Sequence, residues 1–182
     1  MSIDFLDGIG WADWSREERL FCAGLYEHAR KASCAFARWV IDTALLLTLS
    51  PDGDWDLGCE VCFYRGFLKH KGRAARGEKY PFKRAFDLCL FGERAIVVIE
   101  AKVCEPFKPR QNEHFKADRA LIRKAVGRDD LDVFVVPLAA SNYFANARPS
   151  TLEAFTGSLS WAQVAARYPD PILDRANGMY RA

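Results

Sequence analysis

The sequence predicts an α/β domain with a central mixed β-sheet flanked by helices. Three observations carry that expectation. Segments with helical spacing of apolar residues open and close the chain; three segments with strand character follow the first helices; and a further helical segment then leads into a fourth short apolar strand. The order α, β, β, β, α, β, α implies helices on both faces of one sheet. With 182 residues, 50% apolar and 27% charged, and no repeat or low-complexity linker, residues 1–182 read as a single domain. The same composition excludes a disordered tail, a collagen, a small disulfide scaffold and a membrane protein.

Ser15-Arg16-Glu17-Glu18 reads as a helix N-cap with a capping-box glutamate, and Leu20, Phe21, Gly24, Leu25, His28, Ala29 and Ala32 follow at helical spacing. The first helix is therefore expected from Arg16 to Arg30, and a second from Ser33 to Leu47, ending before the turn Ser50-Pro51-Asp52-Gly53-Asp54. Val40 to Leu49 is the longest apolar stretch, but Asp42 interrupts it and it falls short of the roughly 20 residues of a membrane span. Strands are expected over Trp55–Phe67, Arg84–Phe91 and Glu93–Val103, the last two joined by a hairpin turn at Phe91-Gly92-Glu93-Arg94. Gln111–Val126 reads as a helix, Leu131–Leu138 as a strand, and Thr151–Tyr168 as one or two helices with a second start at Ser160-Trp161-Ala162-Gln163. Trp161 and Tyr168 read as core residues.

The N-terminus carries Asp4 and Asp7 where an export signal would be basic, and the six cysteines lie mostly in apolar segments, so the expectation is a reduced, cytoplasmic protein with no membrane partner. Cys59 and Cys62 have knuckle spacing without a second pair, and on a strand their thiols would face opposite ways, which argues against zinc. His28, His70 and His114 are too dispersed for a ligand set, and no phosphate-binding loop of the ATPase type occurs.

Charge is unevenly spread. Residues 1–60 hold 5 basic against 11 acidic side chains, residues 61–128 hold 17 against 7, and residues 129–182 hold 4 against 6. Within the basic third, Arg65, Lys69, Lys71, Arg73, Arg76, Lys79, Lys83 and Arg84 stand against the single acid Glu78, interleaved with Phe67, Tyr80 and Phe82. Such an arm suits a polyanion, since each neutralised phosphate releases counterions. The bland alternative is a solvated loop.

The chemistry concentrates in Phe86 to Lys102. Alternation along the third strand turns Glu100 and Lys102 to one face, and burying an acid beside a lysine costs several kcal/mol unless a metal or partner satisfies them. If the hairpin sets Asp87 near Glu100, two carboxylates and an ammonium converge, a donor set that suits Mg²⁺ with waters and phosphate oxygens completing its shell. Lys102 would orient or deprotonate the attacking water. The alternative is a buried Glu100–Lys102 ion pair with Asp87 capping a turn.

At these residues the sequence resembles the PD-(D/E)xK nuclease superfamily, the restriction-endonuclease-like fold. Asp87 matches the motif's Asp and Glu100-Ala101-Lys102 its (D/E)xK, with the twelve residues Leu88 to Ile99 between them and Phe86 in place of the Pro. The resemblance covers roughly Ser15 to Leu138. It implies that Asp87, Glu100 and the Ala101 carbonyl bind Mg²⁺ or Mn²⁺, that Lys102 positions the water, and that Gln111 is an accessory residue at the start of the next helix. It also implies a glutamate on the first helix facing the metal, for which Glu18 is preferred over Glu17, with Glu60 on the first strand as a third choice. The expected function is a metal-dependent deoxyribonuclease, an endonuclease ahead of an exonuclease, with a homodimer as the arrangement that would cut two strands. A non-catalytic nucleic-acid-binding or assembly module of the same fold is the alternative.

Overall fold

A computed structural model describes residues 12, 15–73 and 80–181. Helix α1 (Glu18–Ala29) runs through a 3₁₀ turn at Arg30–Ala32 into α2 (Ser33–Thr43). Strand β1 (Trp55–Val61) precedes α3 (Phe63–His70), after which β2 (Phe86–Gly92) and β3 (Ala95–Ala101) form a hairpin. Helix α4 (Pro109–Val126) crosses over to β4 (Asp132–Ala139). Short helices α5 (Ser141–Asn146) and α6 (Pro149–Leu152) lead to β5 (Leu159–Ser160), α7 (Trp161–Arg167) and α8 (Pro171–Gly178).

The five strands form one mixed sheet in the order β1-β2-β3-β4-β5, antiparallel through β3 and parallel beyond it. The switch follows from the connections. A two-residue turn at Glu93-Arg94 can only reverse the chain, whereas α4 gives the length needed to bring β4 alongside β3 in the same direction. Strand β3 is buried at every position, as expected of a strand covered on both faces. One face packs Leu88, Leu90, Val97 and Ile99 against Phe21, Leu25, Phe36 and Val40 of α1 and α2 and against Trp161 of α7. The other packs Phe86, Val98 and Val135 against Phe63, Tyr64 and Leu68 of α3 and Phe115 and Ile122 of α4. Gly127 closes α4 in the left-handed region (φ 75°), and both its amide and that of Arg128 return to the Arg123 carbonyl.

Several boundaries differ from the sequence reading. Helix α1 starts at Glu18 rather than Arg16: the Ser15 hydroxyl takes the Glu17 amide at 3.2 Å in a local turn, and no capping box forms. Helix α2 ends at Thr43, because Leu45 adopts a left-handed conformation (φ 55°) that breaks the helix. The expected strand Trp55–Phe67 stops at Val61. Phe63, Tyr64, Phe67 and Leu68 stand at helical spacing, and their burial against α4 wins over the local apolar run. Cys62 therefore leaves the strand and precedes α3, so the strand argument about its thiol does not apply. Thr151–Tyr168 divides into α6, β5 and α7, and the capping box at Ser160 and Gln163 is present. No helix among the described residues is long and apolar enough to cross a membrane.

Candidate metal centre and its buried ion network

Leu88 pairs with Ile99 across the hairpin, so the next position of that register sets Asp87 opposite Glu100. The same counting across β1 and β2, where Cys59 pairs with Leu88 and Val61 with Phe86, sets Glu60 opposite Asp87. Neither ladder pairs these residues directly, but the three acids are near enough that the Glu60 charge acts on Asp87 and the Asp87 charge on Glu100. Asp87 accepts the backbone N–H of Ala101 at 2.8 Å, which pins its carboxylate to the last residue of β3. Burial pushes the Asp87 carboxyl above its ordinary range, against the pull of that amide and of the Lys102 charge. Glu100 is only 8% exposed, and burial, then the neighbouring Asp87 charge, raises its pKa to about 8.

Lys102 lies one residue past the end of β3 and does not pair with Glu100. Its ammonium donates to Glu18 Oε1 and to the Ala101 carbonyl, both at 2.8 Å, and lies 5.7 Å from the centroid of the Phe107 ring. Backbone bonds hold it there. The Lys102 N–H donates to Leu138 at 2.7 Å and its carbonyl accepts the Trp161 indole N–H at 2.9 Å. Burial opposes its charge most strongly, but Glu18, Asp87 and Glu100 together overcome that penalty and raise the lysine's pKa. Glu18 itself is raised by burial in spite of Lys102. A cleft of about 470 Å³ lined by Arg16, Glu18, Lys102, Cys104 and Glu105 opens this pair to solvent.

Arg84 lies in the wall of the site instead of on a solvated arm. Its Nη2 donates to Glu100 Oε1 at 3.3 Å and its Nε stands 2.8 Å from Asp118 Oδ2, with the side chain 16% exposed. The guanidinium lies over the rings of Phe86 and Phe115. Asp118, on α4, is buried and accepts the Tyr64 hydroxyl of α3 at 2.6 Å. Burial raises the Asp118 carboxyl, with Arg84 pulling the other way, and raises the Tyr64 phenol. The alternative reading, a buried Glu100–Lys102 ion pair, does not hold: two separate pairs form instead, Glu100 with Arg84 and Lys102 with Glu18.

The donor set can be tested against a divalent cation. Four acids (Glu18, Asp87, Glu100, Asp118) face two bases (Arg84, Lys102), leaving a formal charge of −2 if all are ionised. That deficit equals the charge of one Mg²⁺; burial first, and the Asp87 charge second, keep a proton on Glu100 above the usual carboxylate range. Asp87 and Glu100 each spend one oxygen on a hydrogen bond among the described residues and keep the other. Among the described residues no three His, Cys, Asp or Glu side chains are gathered closely enough to enclose an ion by themselves. Two carboxylates completed by water and phosphate oxygens are the arrangement Mg²⁺ accepts, so the residues fit that ion. The Ala101 carbonyl would have to share its lone pairs with the Lys102 ammonium.

Of the other expected site residues, Glu18 faces the cluster, whereas Glu17 is the exposed residue preceding α1. Glu60 adopts a left-handed conformation (φ 51°) and pairs with Arg19 at 3.2 Å, flanking Asp87 from β1. Gln111 accepts the Lys108 N–H at 2.9 Å and caps α4; no contact among the described residues joins it to Asp87, Glu100 or Lys102. Arg65 and Lys69 are exposed on α3, and Lys71, Arg73 and Lys83 are exposed beyond it, with Arg73 donating to the Ala125 carbonyl. Arg76 and Lys79 lie outside the described residues. His28 pairs with Asp170 at 2.8 Å and stacks on Tyr168, away from the cluster.

Asp118 and Tyr64 were not singled out from the sequence. Asp118 did carry a signal, since it falls between Phe115 and Ile122 on the apolar stripe of α4, where an unpaired acid would be costly. The chain matches no protein-family model and no curated protein, so the functional reading rests on this geometry.

Proposed function

We propose that the chain is a Mg²⁺-dependent nuclease of the restriction-endonuclease-like class that hydrolyses phosphodiester bonds, with DNA as the preferred substrate. The observation that carries the reading is the convergence of Asp87 and Glu100 at the end of the β2–β3 ladder, with Lys102 two residues on and a Glu100 carboxyl raised to about 8 by burial and the Asp87 charge. The element order and the sheet order, a three-stranded antiparallel unit with a fourth strand parallel to the third, agree with that class.

Asp87, Glu100 and the Ala101 carbonyl would hold the ion. When bound, Mg²⁺ would polarise the phosphate and make a water nucleophilic near neutral pH. Asp87 is kept in place by the Ala101 amide, so its free oxygen points from a fixed carboxylate. Lys102, held as an ammonium by Glu18, acts as an electrostatic donor that orients the attacking water and offsets negative charge developing on the phosphate; its raised pKa argues against a role as general base in the ion-free site. The exposed basic residues Arg65, Lys69, Lys71 and Lys83 supply sequence-independent hold on the backbone. The products would be a 5′-phosphate and a 3′-hydroxyl.

A second reading, a nucleic-acid-binding module without turnover, draws on the same network, because Arg84 and Lys102 already compensate two of the acids without an ion. Incubating labelled linear, single-stranded and supercoiled DNA and RNA with the protein in Mg²⁺, Mn²⁺ or EDTA separates the two. Metal-dependent cutting lost in Glu100→Ala and Lys102→Ala supports the nuclease; salt-sensitive binding without cutting in any metal supports the module and refutes the nuclease.

A further inference from the structure

Arg84 bridges two carboxylates in a buried, rigid setting. One arm of its guanidinium holds Glu100 Oε1 at 3.3 Å while Nε faces Asp118 Oδ2 at 2.8 Å. Phe86 and Phe115 hold the plane of the fork, their centroids 5.3 and 4.9 Å from its central carbon. Asp118 is itself braced, its side chain 1% exposed and its Oδ1 taken by the Tyr64 hydroxyl at 2.6 Å. The chain Tyr64–Asp118–Arg84 therefore anchors one chosen oxygen of Glu100 to two helices on the same face of the sheet.

A carboxylate with one oxygen occupied has one left to give. Mg²⁺ demands near-octahedral geometry, keeps several waters and takes single oxygens, whereas Ca²⁺ accepts up to about eight oxygens and gains from carboxylates that offer both of theirs. We infer that Arg84 is a positioning residue that sets the ion selectivity of the site: by occupying Glu100 Oε1 it leaves that carboxylate a single free oxygen, which favours Mg²⁺ over Ca²⁺. The inference rests on the metal-dependent reading above. Lysine cannot replace the fork, because one ammonium on a flexible stem does not bridge both carboxylates in a plane.

The test is calorimetric titration of the full chain with Mg²⁺ alone and with Ca²⁺ alone, with circular dichroism as the check on folding and DNA cleavage by the wild type run alongside. The expected result is a wild type that prefers Mg²⁺, an Arg84→Met variant whose Mg²⁺/Ca²⁺ affinity ratio falls about tenfold or more, and Arg84→Lys and Asp118→Asn variants with smaller falls in the same direction. A role confined to stability would lower melting without moving the ratio. Should Arg84→Met fail to fold, Arg84→Lys and Asp118→Asn decide. An unchanged ratio in the folded variants, with a wild type that binds Mg²⁺ and cuts DNA, overturns the role of Arg84 and leaves the nuclease reading intact. A wild type that binds neither ion and cuts nothing overturns the nuclease reading, and the selectivity role falls with it.

Discussion

Replacing Glu100 by glutamine should change how stability depends on pH in the metal-free protein. The carboxyl has an ordinary value of 4.5 and sits at about 8 in the folded chain, where burial and the Asp87 charge disfavour its ionised form. A raised carboxyl means that the folded protein binds a proton that the unfolded chain has already released. Stability therefore falls as pH climbs from about 4.5 to about 8 and levels off above. Between pH 6 and pH 8 the linkage relation gives a loss of about 2 kcal/mol from this one group. For a chain of 182 residues that corresponds to a melting temperature lower by about 4 to 8 °C. Lys102 does not enter this window: its pKa is raised, so its contribution is present below its ordinary range and is lost only in strong alkali. The assay is thermal unfolding in EDTA, wild type beside Glu100→Gln, at pH 6 and pH 8. Glu100→Gln cannot ionise at this position and should lose correspondingly less stability on the way up, whereas curves that shift in parallel would refute the claim that burial and the Asp87 charge outweigh the Arg84 guanidinium at Glu100.

Three further outcomes follow from named contacts. Asp87→Asn retains an oxygen to accept the Ala101 N–H but loses its charge, so it should melt within about 1 kcal/mol of the wild type while Mg²⁺ no longer raises its melting temperature; scanning calorimetry with and without Mg²⁺ checks both. Lys102→Met leaves Glu18 facing Asp87 without its ammonium, and is expected to lower the turnover number at least tenfold with a smaller change in substrate KM, read from initial rates. Exchanging the exposed Lys69 and Lys83 for glutamine should reduce the slope of log affinity against log salt by roughly one to two for duplex DNA, measured by fluorescence anisotropy across a salt series.

The hairpin was legible because two independent signals agreed on it. The turn at Phe91-Gly92-Glu93-Arg94 sets the register, and the uninterrupted apolar run of β3 ends at Glu100, so Asp87 and Glu100 could be placed on neighbouring strands by counting alone. The partners of Glu100 and Lys102 could not. Alternation put both charges on one face, but β3 ends at Ala101, and beyond it tertiary contacts with Glu18 and Trp161 decide where Lys102 goes. Arg84 was read by its neighbours in a basic run, and only the packing of Phe86 and Phe115 shows that it turns inward. Helix α3 was hidden for a related reason: Val61 to Phe67 is apolar enough to pass for a strand, and Tyr64 finds its partner Asp118 at a separation of 54 residues. At the other end of the chain, Asp170 caps α8 through the Ile172 amide with Pro171 as the first helical residue, a local start signal that sequence reading could have used.

The central claim is that Asp87 and Glu100 hold a divalent cation for phosphodiester hydrolysis. The most direct measurement is the initial rate of cleavage of a labelled DNA substrate as a function of Mg²⁺ concentration, for wild type and Asp87→Asn at equal protein concentration. The account predicts a saturable rise for the wild type, abolished by EDTA, and a rate reduced by at least about a hundredfold for a variant that still melts normally. Cleavage that is equal in EDTA and Mg²⁺, or that survives in Asp87→Asn, would contradict it.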